Sequence, residues 1–318
     1  LGQSIVPRVA TIVPTVASST LAVVSTSSAP KTSQLETSTS TVTTSKQSVA
    51  VPEKKALPIS KPTSVPVVTS VSIPAPTPLS LPEINTALDV SAPTLRAALV
   101  NIMCLASPAG GIHSISGSGV IIDPKGIILT NAHIAQYFLL ADRTVSCTIR
   151  SGSPAIDSYD ASLIYLSCVW IHANAKVLTE TNPSGTGEYD FAFLAVSSSA
   201  NATVLPTTFP FIPLAITPPT TGTPVVIASY GAQFLETNQI QSSLFPTVVF
   251  GSVKDIFTFA STTIDVLSLG GSVAAQEGSS GGGVSNGSGE LVGTITTSTI
   301  KGSTDTRQLN AITASYIR

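Results

Sequence analysis

The sequence is poor in charged and in aromatic side chains. Of its 318 residues, 10% are charged and 5% are aromatic, and the formal net charge is −2. A chain without a cationic surface has little attraction for phosphate backbones or anionic lipid, so nucleic acid is not expected as a partner. Ser, Thr, Val, Ala, Gly and Pro take the place of the missing residues. This usage is typical of extended and β-rich structure and excludes a helical bundle.

Long apolar runs are missing as well. No uninterrupted apolar stretch reaches the roughly 18 residues that a membrane-spanning helix needs. The first residue is Leu instead of Met, so we expect a truncated or processed chain. Membrane attachment is therefore expected only through a segment that this sequence does not contain.

Cysteine is scarce, with Cys104, Cys147 and Cys168 as the whole set. Their spacing lacks the close doublets of a zinc site, so no metal site is expected. Three cysteines allow at most one internal disulfide. The apolar, alternating stretches 146–150 and 165–171 are compatible with neighbouring strands, which favours a Cys147–Cys168 bridge. The alternative is three small buried side chains without a disulfide.

Residues 1–85 differ in character from the rest of the chain. They are dominated by Ser, Thr, Pro, Val and Ala, and neither a 3.6-residue nor a 2-residue period persists in them. Prolines at this density remove backbone donors, and scarce large apolar side chains leave little to offset the entropy of ordering. We predict a disordered stalk or linker here, either a simple tail or a glycosylated extracellular stalk. The predicted location is extracytoplasmic, whether secreted, periplasmic or cell-surface.

Residues 86–318 contain many short apolar segments of strand length. Turn-forming Gly, Pro, Asn, Asp and Ser residues separate these segments. Many short strands with few helical patterns predict an all-β domain, a barrel or a sandwich. Short helices are expected over residues 94–100 and 132–140.

The strongest local pattern is GSSGG at residues 278–282. A serine nucleophile needs a tight turn that exposes its Oγ and directs backbone N–H groups at the oxygen that becomes negative during acyl transfer. Glycine permits such a backbone. We therefore take Ser280 as the candidate nucleophile and the N–H groups of Gly278 and Ser280 as the candidate oxyanion hole. The alternative is a flexible Gly/Ser turn between strands.

A second pattern is TNAHI, which follows an apolar hairpin and ends at Ile134. It places His133 where a strand gives way to a turn or helix. A neutral imidazole takes a hydroxyl proton and later returns it, so His133 is the candidate general base. The alternative is an ordinary surface or core histidine, and for His113 and His172 that is the only interpretation.

A third pattern is YDFAFLAV, in which Asp190 opens an apolar strand. A buried carboxylate is costly unless it is hydrogen-bonded, and a histidine Nδ1–H is a fitting partner. The alternative is a turn residue. Four other acidic residues compete for the role, none followed by so continuous a strand pattern: Asp157, Asp160, Asp255 and Asp265. The chain order His133, Asp190, Ser280 is one of the known orders of a catalytic triad.

Residues 95–318 resemble a known family. The stretches that carry the resemblance are GSGVIID, ILTNAHI, YDFAFLAV, GSSGGG and ELVGTITT. They resemble the trypsin-like (chymotrypsin-fold) serine proteases, and among them the bacterial HtrA/Deg-like branch, here without a PDZ domain. The resemblance implies a double six-stranded β-barrel with the site in the cleft between the barrels. It also implies an endopeptidase that hydrolyses protein or peptide substrates through an acyl-enzyme, without a cofactor.

The resemblance also implies where the specificity pocket lies. Its wall is expected from the segment Ala274 to Glu277 and from the strand residues Thr296, Thr297 and Ser298. Ala274 offers no carboxylate at the pocket base, so we expect a small or medium apolar P1 residue. Ser279 replaces the aspartate that pairs with a new N-terminus in the activated digestive enzymes, so that zymogen switch is not expected.

Two other functions remain open from the sequence. One is a catalytically latent or inactive protease-like domain that serves as a surface binding module. The other is a surface stalk or adhesin with a structural β domain, which explains residues 1–85 but not the joint appearance of TNAHI and GSSGGG. No oligomeric state follows from the residues.

Overall fold

The fold is available as a computed structural model that describes residues 81–107, 111–141, 143–180, 185–259, 262–298 and 307–318. The predicted disordered segment 1–85 lies outside the described residues except for its last five. Those five begin helix α1 (Leu81–Ala98), so the expected boundary at residues 85 and 86 falls inside a helix. Within the described residues no helix is long and apolar enough to cross a bilayer.

Six antiparallel strands form a closed barrel in the first half of the domain. In chain order they are β1 (Leu99–Ala106), β2 (Ile115–Asp123), β3 (Ile127–Thr130), β4 (Val145–Gly152), β5 (Ala155–Leu166) and β6 (Ala192–Ser199). Their order around the barrel is β1-β2-β3-β6-β5-β4, and β4 pairs with β1 to close it. Fully buried aliphatic side chains fill the interior: Ile102, Ile128, Ile149 and Leu194.

Seven strands form a second sheet. In chain order they are β7 (Pro224–Ser229), β8 (Thr247–Ser252), β9 (Asp255–Phe257), β10 (Val266–Ser268), β11 (Gly283–Ser285), β12 (Leu291–Ser298) and β13 (Leu309–Thr313). Their order in the sheet is β8-β7-β11-β12-β13-β10-β9. A second core lies against this sheet and includes Leu267, Val284, Ile295 and Leu309.

The second sheet differs from the expected closed six-stranded barrel, and a bend explains the difference. Its edge strands β8 and β9 are separated only by Val253 and Lys254. The Val253 N–H donates to Thr223 O beside β7 at 3.0 Å, and the Lys254 N–H donates to Ser268 O in β10 at 2.7 Å. One bent stretch of chain thus borders both edges, and the sheet curls as half of a double-barrel fold. The all-β prediction is confirmed.

Short helices connect the strands or follow the last of them. They are α2 (Ala132–Ala135), α3 (Cys168–Asn174), α4 (Thr237–Ser242) and α5 (Ala314–Ile317), with 3₁₀-helices over Gln136–Leu140 and Ala175–Thr179. The helix predicted over 132–140 is confirmed as α2 and the 3₁₀-helix that follows it. The helix predicted over 94–100 is only partly right, because α1 starts earlier and residues 99 and 100 belong to β1.

The predicted Cys147–Cys168 disulfide is wrong. Strands β1 and β4 pair so that Cys104 faces Cys147, and these two residues form the disulfide with a Cα–Cα distance of 4.0 Å. The stretch 165–171 is not a single strand, because β5 ends at Leu166 and the Ser167 hydroxyl caps α3 by accepting from the Trp170 N–H. Cys168 begins that helix as a free, exposed thiol.

Candidate active site

His133 and Asp190 are in direct contact at one end of the first barrel. His133 lies in α2, directly after β3, and Asp190 lies in the turn before β6. Strands β3 and β6 are paired, with Thr130 opposite Ala192, so the two residues meet at the same end of the pair. His133 Nδ1 is 2.8 Å from Asp190 Oδ2, and the His133 backbone N–H donates to Oδ1 at 2.9 Å. Both carboxylate oxygens therefore bind the histidine.

The Asp190 carboxylate has a further partner from the second half of the domain. The Thr296 hydroxyl, in β12, donates to Oδ2 at 2.9 Å, and Asn131 Nδ2 donates to the Asp190 carbonyl oxygen at 2.9 Å. Only 7% of the Asp190 side chain is exposed. A buried carboxylate in this position favours the proton on His133 Nδ1 and leaves Nε2 as the basic nitrogen.

At two positions of the loop 278–282, the backbone has a conformation that only glycine tolerates. Gly278 has φ +88°, and a Cβ there would lie 2.7 Å from Tyr230 O. Gly281 has φ +83°, and a Cβ there would lie 1.9 Å from Ser118 O and 2.5 Å from Thr130 Oγ1. The loop therefore presses against the end of β3, three residues before His133.

Two N–H groups of this loop are left without a described acceptor. The N–H groups of Ser279, Gly281 and Gly282 donate to carbonyl oxygens at 2.8–3.1 Å. Those of Gly278 and Ser280 donate to no described residue. These are the two groups that the sequence predicted for an oxyanion hole.

The peptide between Glu277 and Gly278 has a fixed direction. Its carbonyl oxygen accepts the Ala232 N–H at 2.7 Å. In a trans peptide the N–H points opposite to the C=O, so the Gly278 N–H faces away from Ala232. Such an orientation leaves the donor available to an anionic oxygen.

Ser280 is held through its backbone and its hydroxyl is uncommitted. The Ser118 N–H in β2 donates to Ser280 O at 2.7 Å, which ties the loop to the first barrel. The Ser280 Oγ makes no hydrogen bond to any described residue, including His133. Hydrogen bonds of this kind are often long in a substrate-free enzyme and tighten when substrate binds.

The residues predicted for the specificity pocket lie in different environments. Ala274 is buried in the second core, whereas Glu277 is exposed. Thr296 is buried, and its hydroxyl is committed to Asp190, a role that the sequence did not indicate. Thr297 and Ser298 continue β12 and pair with β13.

The other histidines and acidic residues considered from the sequence do not join this site. His113 and His172 are exposed. Asp157 is 3.2 Å from Arg150 Nε, and Asp160 accepts the Ser198 hydroxyl at 2.7 Å. In the part of the chain that the structure describes, no cluster of three or more His, Cys, Asp or Glu residues is arranged to hold a metal ion.

The domain as a whole is similar to known proteins. The family model of the trypsin-like peptidase domain matches residues 117–293. Two solved structures of the Rv3671c protease from M. tuberculosis are similar to the chain. The active form is 18% identical with a TM-score of 0.45, covering 81% of this chain and 91% of that one. The inactive form is 20% identical with a TM-score of 0.43, covering 77% and 96%. Similarity of this degree assigns no activity. Among curated proteins, none matches the chain.

Proposed function

Because the chain belongs to the trypsin-like peptidase domain family, we propose that it is a serine endopeptidase with Ser280 as nucleophile, His133 as general base and Asp190 as the residue that orients the base. The observation that carries the proposal is the direct His133–Asp190 pair at 2.8 Å. The loop 278–282, in which the Gly278 and Ser280 N–H groups lack a described acceptor, lies against Thr130 at the end of the strand that precedes His133.

In the first half of the reaction, Ser280 Oγ attacks the carbonyl carbon of the scissile peptide while His133 Nε2 takes the hydroxyl proton. The carbonyl oxygen becomes negative and accepts hydrogen bonds from the Gly278 and Ser280 N–H groups. The C–N bond then breaks, and His133 returns the proton to the leaving amine. The product of this half is an ester between Ser280 and the acyl part of the substrate.

In the second half, a water molecule attacks the ester and loses its proton to His133. The Ser280 Oγ leaves with that proton, which restores the resting site. The Asp190 carboxylate stabilises the imidazolium in both halves because it accepts the Nδ1–H. The Thr296 hydroxyl and the His133 backbone N–H donate hydrogen bonds to that carboxylate and stabilise its negative charge.

The substrate class is part of the proposal and rests on the pocket position that the family resemblance implies for Ala274. Protein or peptide segments with a small or medium apolar P1 side chain suit a pocket without a carboxylate at Ala274. An extracytoplasmic location is supported by the Cys104–Cys147 disulfide, since disulfides persist mainly in oxidising compartments. Assignment to the HtrA/Deg-like branch remains a prediction.

A second candidate function is a catalytically latent or inactive protease-like binding module. The observation that favours it is the missing hydrogen bond between Ser280 Oγ and His133. In that case the residues of the triad are present but the nucleophile is not activated.

Labelling of the full-length protein with a fluorophosphonate probe separates the two functions. We expect labelling confined to Ser280, abolished by denaturation and by Ser280→Ala, and retained in His172→Ala, which changes an exposed histidine. His133→Ala should lower kcat by about 10⁶-fold, because nucleophile and base act as a unit. Absence of labelling in the folded wild type would favour the latent module. Labelling at Ser279 would assign Ser279, and not Ser280, as the nucleophile.

A further inference from the structure

Ser118 is a fully buried residue of β2 that hydrogen-bonds to four different residues. Its N–H donates to Ser280 O at 2.7 Å, and its carbonyl oxygen accepts the Thr130 hydroxyl at 2.7 Å. Its Oγ donates to Gly278 O at 2.8 Å and accepts the Tyr230 N–H at 2.9 Å. One residue of the first barrel therefore contacts residues 278–282 (the nucleophile loop), the end of β3 and the segment that follows β7.

The direction of the two hydroxyl bonds follows from their partners. A backbone N–H can only donate and a carbonyl oxygen can only accept, so the Ser118 proton points at Gly278 O. The Ser118 hydroxyl thus donates one hydrogen bond and accepts another. Its side chain is fully buried, so water does not replace either partner. A methyl group in its place would leave the Tyr230 N–H buried without this acceptor and the Gly278 carbonyl without this donor.

The hydrogen bond from the Ser118 hydroxyl to the Gly278 carbonyl is important because the candidate oxyanion donor, the Gly278 N–H, belongs to the same residue. The peptide before Gly278 is fixed by the bond from Ala232 N–H to Glu277 O, and the peptide after it is fixed by the Ser118 hydroxyl. Gly278 itself is in the left-handed region, with φ +88°, which glycine adopts without a steric penalty but which is not its only option. The two flanking bonds together select this conformation.

The Ser118 hydroxyl also supports the first of these two bonds, the one from the Ala232 N–H to Glu277 O. It accepts the N–H of Tyr230, two residues before Ala232, whose N–H holds Glu277 O. Loss of the hydroxyl would therefore loosen both peptides that set the direction of the Gly278 N–H.

We propose that Ser118 is a positioning residue for the oxyanion hole: its hydroxyl holds the Gly278 N–H in the direction in which it can stabilise the anionic oxygen. This inference rests on the proposed function. Ser118 does not touch the reacting atoms in this scheme and acts only through the backbone of residues 278–280.

A purely structural role makes a different prediction, and Ser91 provides the matched control. Ser91 is a buried serine of α1 whose Oγ is 3.0 Å from the Ser285 Oγ. Ser91→Ala removes a buried hydroxyl bond without touching residues 278–280. It should lower Tm and leave the kinetic constants as they are.

The kinetic test compares Ser118→Ala, Ser118→Cys and Ser91→Ala in the full-length protein, with a peptide ester substrate at a temperature far below each Tm. For Ser118→Ala we expect kcat to fall about 10- to 100-fold, less than the loss of a whole oxyanion donor, with KM changed less than about threefold. Ser118→Cys keeps a weak donor of similar shape and should fall in between. Ser91→Ala should keep kcat within about twofold, because it removes only structural stabilisation.

A Ser118→Ala variant with kcat within about twofold of wild type, or with a loss no larger than that of Ser91→Ala, overturns the inference. If Ser118→Ala has no cooperative unfolding transition, Ser118→Cys carries the kinetic comparison. Crystal structures of wild type and Ser118→Ala give a readout that does not need activity. A wild type that neither labels nor turns over substrate overturns the proposed function. An unchanged Glu277–Gly278 peptide in the Ser118→Ala structure overturns the positioning role, and a rotated one supports it.

Discussion

The first barrel and the second half of the domain build their parts of the candidate site by different means. The first barrel brings together two side chains, His133 and Asp190, through one direct contact of 2.8 Å. The second half supplies a loop whose geometry depends on its backbone, with positive φ at Gly278 and Gly281. Side-chain chemistry sets one part, and backbone conformation sets the other.

Each half of the domain also provides one hydroxyl group that hydrogen-bonds to the part of the site in the other half. Thr296 of β12 donates to the Asp190 carboxylate, and Ser118 of β2 donates to the Gly278 carbonyl oxygen. Neither part is complete within its own half. Base, carboxylate and nucleophile loop therefore depend on the two halves being correctly packed against each other.

The largest effect should come from breaking the side-chain pair. Asp190→Asn retains the size of the residue but replaces an acceptor of the Nδ1–H by an amide, so we expect kcat to fall about 10⁴-fold as the imidazole loses its correct tautomer. Steady-state kinetics at neutral pH measures this. Asp160→Asn, which changes an exposed carboxylate bonded to Ser198, should leave kcat unchanged. A loss below about tenfold for Asp190→Asn would contradict the assigned role.

A smaller effect should come from disturbing the backbone part. In Gly278→Ala the new Cβ would lie 2.7 Å from Tyr230 O at φ +88°, so the peptide must move. We expect kcat to fall about 10²- to 10³-fold, the cost of losing one oxyanion donor. Gly289→Ala is the matched control, because Gly289 has φ +74° but no atom within 4 Å of a Cβ. It should cost about 1 kcal/mol of stability through strain alone. Equal kinetic losses in both variants would show that strain, and not the donor, was measured.

This comparison also explains which parts of the site could be predicted from the sequence. His133 and Asp190 are recognisable because each adjoins an apolar strand in a short, local pattern, and the loop at Ser280 is marked by its glycines. The structure brings His133 and Asp190 into direct contact at 2.8 Å. The contacts of Thr296 and Ser118 join residues 106 and 160 positions apart, and no local pattern encodes them.

The disulfide, the helix at Cys168 and the seventh strand also depend on features that no local pattern encodes. The disulfide depends on the pairing of β1 with β4 across 43 residues, whereas the prediction relied on the local alternation around Cys147 and Cys168. An apolar stretch after Leu166 suits a strand and a short helix equally well, and the cap by Ser167 decides for the helix. The seventh strand of the second sheet arises from a bend at Val253 and Lys254, where no proline or glycine marks the break.

The smallest effect should appear in the contact that joins the two halves beside the site. Tyr230 follows β7 and is buried, and its hydroxyl donates to Gly152 O of the first barrel at 2.7 Å. Burial raises the pKa of this phenol to about 12, against an opposing effect of Arg96 and Arg150. Above pH 10 the unfolded chain loses the phenolic proton while the folded protein keeps it, so stability falls as the pH rises towards 12.

Tyr230→Phe should remove part of this alkaline loss. At pH 7 we expect the variant to be less stable by about 1 kcal/mol, the value of one hydrogen bond. Between pH 10 and pH 12 its free energy of unfolding should fall less steeply, and the total difference in that fall should approach roughly 2–3 kcal/mol. Burial raises the pKa of Tyr316 to about 12 as well, so a residual slope should remain. Urea unfolding at pH 7, 10, 11 and 12 measures the free energy of unfolding of both proteins. If this free energy falls by the same amount in both proteins between pH 10 and pH 12, the Tyr230 phenol does not contribute to the alkaline loss of stability.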